Sequence, residues 1–169
     1  MLAVMLQTAV IKVQKMKEFE YNGTYADCYV LNDDRTEKFI FEFLNHFIPE
    51  RKESASEYEF PQYEDDSQFI FQNDYQIIEF LSQKTNVEYS LYWNNKRNED
   101  LKGAMVFFTP DNKIIFGLFC NTLKGDTKIE DEYFQKLKLF TQSNYGYISY
   151  EQIPEMDTNT FIELSIKSL

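Results

Sequence analysis

The stretch that decides the fold is AMVFFTPDNKIIFGLFC, residues 104–120. Two nearly unbroken apolar runs, 104–108 and 114–120, flank Pro110, Asp111 and Asn112. A strand without polar alternation is one covered on both faces. Proline presets φ for the second position of a tight turn. The stretch therefore reads as an antiparallel hairpin at the centre of a sheet. Gly117, inside the second run, predicts a close approach or a bulge.

Working outward, residues 87–93 alternate: Val87, Tyr89, Leu91 and Trp93 face one way, Glu88, Ser90 and Tyr92 the other. That is the pattern of a half-buried strand. Residues 146–150 read as another strand and 68–71 as a short one. Asn22-Gly23, flanked by the segments 17–21 and 24–31, is a hairpin signal. Three segments carry helical spacing. Residues 35–47 place Phe39, Ile40, Phe43, Leu44 and Phe47 on one face, with Asp33, Asp34 and Thr36 as caps and Pro49 as the stop. Residues 74–83, capped by Asn73 or Asp74, turn Tyr75, Ile78 and Leu81 inward. Residues 128–141 carry the stripe Ile129, Tyr133, Leu137 and Phe140. Early acids (Glu130, Asp131, Glu132) and late bases (Lys136, Lys138) complement that helix's dipole. The tail 161–169 fits a strand through Ile162, Leu164 and Ile166, or a helix through Ile162, Ile166 and Leu169. Residues 50–67 read as a polar loop with room for one short strand, and 94–101 as a charged loop. Strands and helices intermix without repeats or linkers. The expectation is one α+β domain over 1–169, a mainly antiparallel sheet covered by helices near 35–47, 74–83 and 128–141.

A chain of 169 residues buries about 68–70% of its unfolded surface and needs no staple. Only Cys28 and Cys120 are present, which excludes a disulfide scaffold and suits reduced thiols in the cytoplasm. The first fifteen residues, MLAVMLQTAVIKVQK, place Lys12 and Lys15 after the apolar part, the reverse of a secretory signal. They are too short and interrupted to span a bilayer. Met16 is an alternative start, which would leave 1–15 as an N-terminal extension.

The net charge is −11 and the isoelectric point about 4.6. Nucleic-acid affinity rests on clustered basic residues. Here Lys is scattered and Arg occurs only at Arg35, Arg51 and Arg97, so neither nucleic acid nor an anionic membrane is the expected partner. A surplus of negative charge steers cationic proteins instead. Twelve tyrosines exceed what a core hides easily, since each buried hydroxyl wants a partner. Coding bias toward Lys, Asn, Ile, Phe and Tyr is the competing account of that number.

Catalytic and cofactor patterns are missing. His46 is the only histidine, placed late in the first predicted helix. Neither Cys28 (Asp-Cys-Tyr) nor Cys120 (Phe-Cys-Asn) has a nucleophile context, so a Cys–His dyad is not expected. Three widely spaced Cys and His residues do not make a zinc site, and residues 111–113 lack EF-hand spacing. No glycine-rich phosphate loop and no Gly-x-Ser-x-Gly elbow appears. The reading is of a protein without enzymatic activity, metal or cofactor. A small-molecule cleft lined by Tyr and Trp93 stays open as an alternative.

One segment stands out: EYEFPQYEDD, residues 57–66, interleaves acids with Tyr58, Phe60 and Tyr63. Aromatic rings supply contact energy and carboxylates supply steering. Either it is a partner surface, or it is a solvated loop whose aromatics tuck inward. As a partner surface it is built from Tyr58, Glu59, Tyr63, Glu64, Asp65 and Asp66, joined by Tyr92. Secondary acidic candidates are residues 32–34, Glu99 with Asp100, and Glu151 with Glu155 and Asp157.

The stretches EFPQYEDDSQFIFQND (59–74), NVEYSLYWNN (86–95) and GAMVFFTPDNKIIFGLFC (103–120) together resemble bacterial immunity proteins against polymorphic and contact-dependent growth-inhibition toxins. The last two pair a Tyr-x-x-Tyr-Trp strand with a central hairpin. The resemblance implies a cytoplasmic stoichiometric inhibitor whose partner is a cognate toxin, often a cationic nuclease, blocked by occlusion of its active site.

Overall fold

A computed structural model describes residues 20–168. The proposed extension 1–15, the alternative start Met16 and most of the first arm of the expected 17–21 hairpin lie outside the described residues. The chain forms β1 (Tyr21–Asn32), α1 (Glu37–Phe47), β2 (Arg51–Glu53), β3 (Tyr58–Phe60), β4 (Phe69–Phe71) and α2 (Asp74–Ser82). It continues through β5 (Tyr89–Asn95), β6 (Leu101–Phe108), β7 (Ile114–Leu123), α3 (Lys128–Thr141), β8 (Gly146–Tyr150) and α4 (Thr158–Lys167). The fold is α+β, a six-stranded antiparallel sheet in the order β2-β5-β6-β7-β1-β8 with a small β3–β4 sheet beside it. No helix among the described residues is long and apolar enough to cross a membrane.

The hairpin read from 104–120 is the β6–β7 pair and occupies the two central positions of the sheet. At its turn the Asn112 amide donates to the Thr109 carbonyl over 3.1 Å, and Asn112 adopts φ +69. Both faces are covered, which is why the sequence there does not alternate. On one face, Ala104, Val106, Phe108, Ile114, Phe116 and Leu118 pack with Ile40, Phe43 and Leu44 of α1, Ile77, Ile78 and Leu81 of α2, and Leu137 of α3. On the other, Met105, Phe107, Ile115, Tyr29 and Tyr147 pack with Phe161 of α4. At Gly117 a Cβ would sit 3.0 Å from Met105 and from the Tyr29 ring, the close approach expected there. Gly103 is tighter: a Cβ would lie 2.1 Å from the Trp93 carbonyl oxygen.

Several expectations are corrected. Asn22-Gly23 is not a hairpin turn; it lies within β1, where the pairing with β7 shifts between Tyr21 and Tyr25, and Gly23 takes φ +80. A glycine that permits positive φ serves a bulge as well as a turn, and β7 runs on to Leu123, far enough to pair with Tyr21. Tyr75 does not point inward: it is 59% exposed and stacks on Phe41 at 4.4 Å, while Ile77 takes the buried position. The loop read at 50–67 holds two short strands, β2 and β3. The tail resolves as a helix, α4, whose cap Asp157 accepts from the Thr160 amide at 2.8 Å.

Candidate partner-binding surface

The β3–β4 hairpin carries the segment 57–66. Tyr58 pairs with Phe71 and Phe60 with Phe69, so residues 61–68 form its connecting loop. The Gln68 amide closes the loop on the Phe60 carbonyl at 2.8 Å, and Ser67 Oγ donates to Glu59 Oε2 at 2.9 Å. The hairpin is held against α2 by Phe80, whose ring lies 4.9 Å from Phe60 and Phe71 and 5.5 Å from Phe69.

Beneath the hairpin a polar relay ties four elements together. Tyr58 Oη and the Asp74 amide both donate to Glu53 Oε2, at 2.9 and 3.0 Å. Asp74 Oδ2 in turn accepts from the buried Trp93 indole at 2.9 Å. Buried polar groups must be paired, and this relay pairs them while fixing β2, β3, α2 and β5 relative to one another. Trp93 is thus a core residue, not a wall of an open cleft.

The loop is pinned to the sheet at a second place. β2 pairs with β5 only from Trp93 to Asn95, with the Ser54 amide adding a bond to the Tyr92 carbonyl. The edge of β5 at Ser90 is instead filled by a side chain. The Gln62 amide nitrogen donates to the Ser90 carbonyl at 2.9 Å, and its carbonyl accepts from the Ser90 amide at 2.8 Å. A carboxamide has one acceptor and two donors in the geometry of a peptide, so Gln62 stands in for a missing strand residue. Tyr89 Oη donates to the Glu59 carbonyl at 2.9 Å, a third tether.

Between hairpin and β5 lies a cleft of about 390 Å³ whose lining includes Tyr58, Glu59, Gln62, Tyr63, Tyr89 and Tyr92. Four sequence-predicted residues, Tyr58, Glu59, Tyr63 and Tyr92, converge here, while Glu64, Asp65 and Asp66 are exposed on the loop that follows. Their roles differ. Tyr58 is only 4% exposed, so it forms cleft floor and is not the protruding anchor expected from sequence; its hydroxyl is committed to Glu53. Tyr92 is half-buried, edge-on to Phe107 at 5.7 Å. Tyr63 is 85% exposed and held at φ +63, a conformation uncommon for a bulky side chain. Both readings of the segment thus hold for different rings: Tyr58 and Phe60 tuck inward and Tyr63 projects. Burial pushes up the pKa of the Tyr58 and Tyr92 phenols, and that of Tyr89 to about 12. All three are neutral hydrogen-bonding groups near pH 7.

Charge pairing occupies two of the secondary candidates, Asp33 and Glu99, and backbone hydrogen bonds engage two more. Asp33 is bridged by Lys113, and Arg97 pairs with Glu99 at 3.9 Å and Glu50 at 2.9 Å. Asp157 is spent on its helix cap, and Glu151 Oε1 accepts from the Tyr25 amide at 3.4 Å. Among the described residues, Glu57, Glu59, Glu64, Asp65 and Asp66 take part in no ion pair. The hairpin therefore concentrates uncompensated negative charge around one projecting ring.

The other chemical candidates lie elsewhere. His46 is exposed in the last turn of α1 and stacks on Phe140 at 4.6 Å. Cys28 and Cys120 are buried free thiols. The neighbouring Cys120 thiol, followed by burial, pushes the Cys28 thiol up, away from nucleophilic character, and Cys28 Sγ donates to the Glu130 carbonyl at 3.4 Å. Among the described residues no three His, Cys, Asp or Glu side chains cluster as metal ligands do. Gln62 and Tyr89 escape sequence reasoning, because a glutamine that imitates backbone leaves no periodic signal. Comparison of the chain with family models, curated proteins and solved structures finds no match.

Proposed function

We propose that this chain is a stoichiometric inhibitor of the immunity-protein kind, which docks its β3–β4 hairpin and the adjoining cleft onto a cationic toxin and occludes the toxin's active site. The observation that carries the reading is Tyr63, projecting from a doubly tethered loop beside five carboxylates that form no ion pair among the described residues. A rigid aromatic ring supplies contact area at small entropic cost. Unpaired carboxylates around it raise the association rate with a positive surface. Rigid tethering means that little ordering cost remains to be met on binding.

The test is to mix the purified chain with the product of the adjacent gene on a sizing column and to assay protection of cells expressing that product. Co-elution as one complex with protection is the expected result; separate elution without protection removes the proposal. Charge reversal of Glu64, Asp65 and Asp66 together is expected to slow association by about tenfold or more and flatten its salt dependence. An unchanged on-rate would take the hairpin out of the interface.

The cleft supports a second reading, a small-ligand-binding or regulatory domain. Its volume of about 390 Å³ and its four tyrosines fall within the range of small-molecule sites. Ligand-dependent stabilisation in a thermal-shift screen, abolished by Tyr92→Ala, would favour it.

A further inference from the structure

Glu130 opens α3 in the sequence Thr127-Lys128-Ile129-Glu130, the spacing of a reciprocal capping box. The box does not form. Thr127 Oγ1 donates to Asp131 Oδ2 at 2.6 Å, and the Lys128 amide is taken by Asp126 Oδ1 at 2.8 Å. Glu130 turns under Tyr150, whose hydroxyl donates to Oε1 at 3.0 Å. The residue is 2% exposed, and Oε2 is buried with no hydrogen-bond partner among the described residues. Leaving such an atom unmatched carries a desolvation cost, larger still for a charged group.

Glu130 also lines a separate cleft of about 470 Å³, together with Asn22, Thr122, Asp126, Thr127 and Tyr150, and its Oε2 is covered from solvent. Asn22 belongs to the β1 bulge, so the Asn-Gly pair shapes one wall. Among the described residues the lining includes two acids, Asp126 and Glu130, and no basic residue. Lys124, nearby in sequence, is bridged to Glu20 at 2.5 Å. Tyr150 is 49% exposed at the mouth. An orphaned carboxylate oxygen, a second carboxylate and an open phenol ring are complementary to one chemical group: a planar cation that donates several hydrogen bonds and stacks on an aromatic face.

We propose that this cleft receives a guanidinium group, presented as an arginine side chain by a partner protein. Glu130 Oε2 accepts its hydrogen bond once Tyr150 swings aside, Asp126 adds a second acceptor at the rim, and the Tyr150 ring then stacks on the cation. Two carboxylates with no third acidic, His or Cys ligand among the described residues do not suit a metal ion. The site lies at the α3 end of β1 and β7, and its occupancy does not depend on the hairpin surface being an interface.

The test titrates the whole chain with N-acetyl-argininamide, and in parallel with N-acetyl-citrullinamide, its uncharged near-isostere, following backbone amide shifts by NMR. The arginine derivative is expected to give saturable shifts at Asp126, Thr127, Glu130 and Tyr150, and the citrulline derivative none. Glu130→Gln should weaken binding about tenfold or more, the loss of a charge-assisted bond. Asp126→Asn keeps the acceptor for the Lys128 amide and should weaken binding severalfold, which secures the test if the buried variant does not fold. Equal shifts from both probes, or no saturable shift at these residues because an ordered water alone satisfies Oε2, would overturn the proposal.

Discussion

Replacing Gln62 with alanine tests the central structural claim about the candidate surface. Two hydrogen bonds of 2.9 and 2.8 Å to the Ser90 backbone disappear. Each is worth about 0.5–1.5 kcal/mol net, so together they contribute about 1–3 kcal/mol to holding the loop on the β5 edge. Tyr89 Oη to the Glu59 carbonyl remains as a weaker tether. The Ser90 amide has Gln62 as its acceptor, so its hydrogen exchange should quicken about 5–30-fold for a loss of 1–2 kcal/mol. The amides of Val106 and Phe116, in the central strands β6 and β7, should keep their protection, because the lost bonds stabilise a local closure and not the sheet. Loss of the tether should also free Tyr63 and slow association with the partner. Native-state hydrogen exchange read residue by residue gives the answer. If Ser90 exchanges at the same rate in variant and parent, the side-chain plug does not shield the edge, and the preorganisation argued for Tyr63 fails with it.

Other consequences are equally concrete. Trp93→Phe removes the only donor to the buried Asp74 carboxylate among the described residues and leaves a void, so denaturant unfolding should show a loss of about 3 kcal/mol or more; a change below about 1 kcal/mol would contradict the relay. Gly103→Ala would drive a methyl group to 2.1 Å from the Trp93 carbonyl, a backbone atom fixed by the β5–β6 ladder. A destabilisation of about 3 kcal/mol is expected, and a neutral result would mean that the β5–β6 register at Gly103 is misplaced. Burial raises the Asp27 carboxyl to about 6, opposed by the backbone amides of Gln152 and Glu151 and reinforced by the Glu151 charge. The folded state therefore holds this proton more tightly than the unfolded one. That contribution is complete below the unfolded pKa near 4 and fades as pH rises through about 6. Asp27→Asn retains an acceptor for Gln152 and should melt higher than the parent at pH 7–8, with the gap closing toward pH 4; a pH-independent gap would refute the assignment.

Much of the architecture was legible in short-range pattern. The unbroken apolar runs at 104–108 and 114–120 announced strands covered on both faces, and the alternation through Tyr89, Leu91 and Trp93 announced β5. The ranges of α3 and β8 coincide with those read from the sequence. The misreadings share a cause. Asn22-Gly23 satisfies a turn and a bulge equally well, and only the length of β7 chooses between them. Tyr75 has helical spacing for burial, but the neighbouring α1 offers it Phe41 at the surface.

The sequence by itself determined the α+β class, the apolar faces of α1 and α3, the central hairpin and a large negative charge, because each follows from residue type and from spacing within a turn or a strand. Only the tertiary structure decided which acids lose their charge to a partner and which tyrosine meets solvent. Lys113 meets Asp33 across 80 positions, and Gln62 meets Ser90 across 28. Such pairings depend on strand order and register, which close only when distant segments pack, and so no local pattern encodes them.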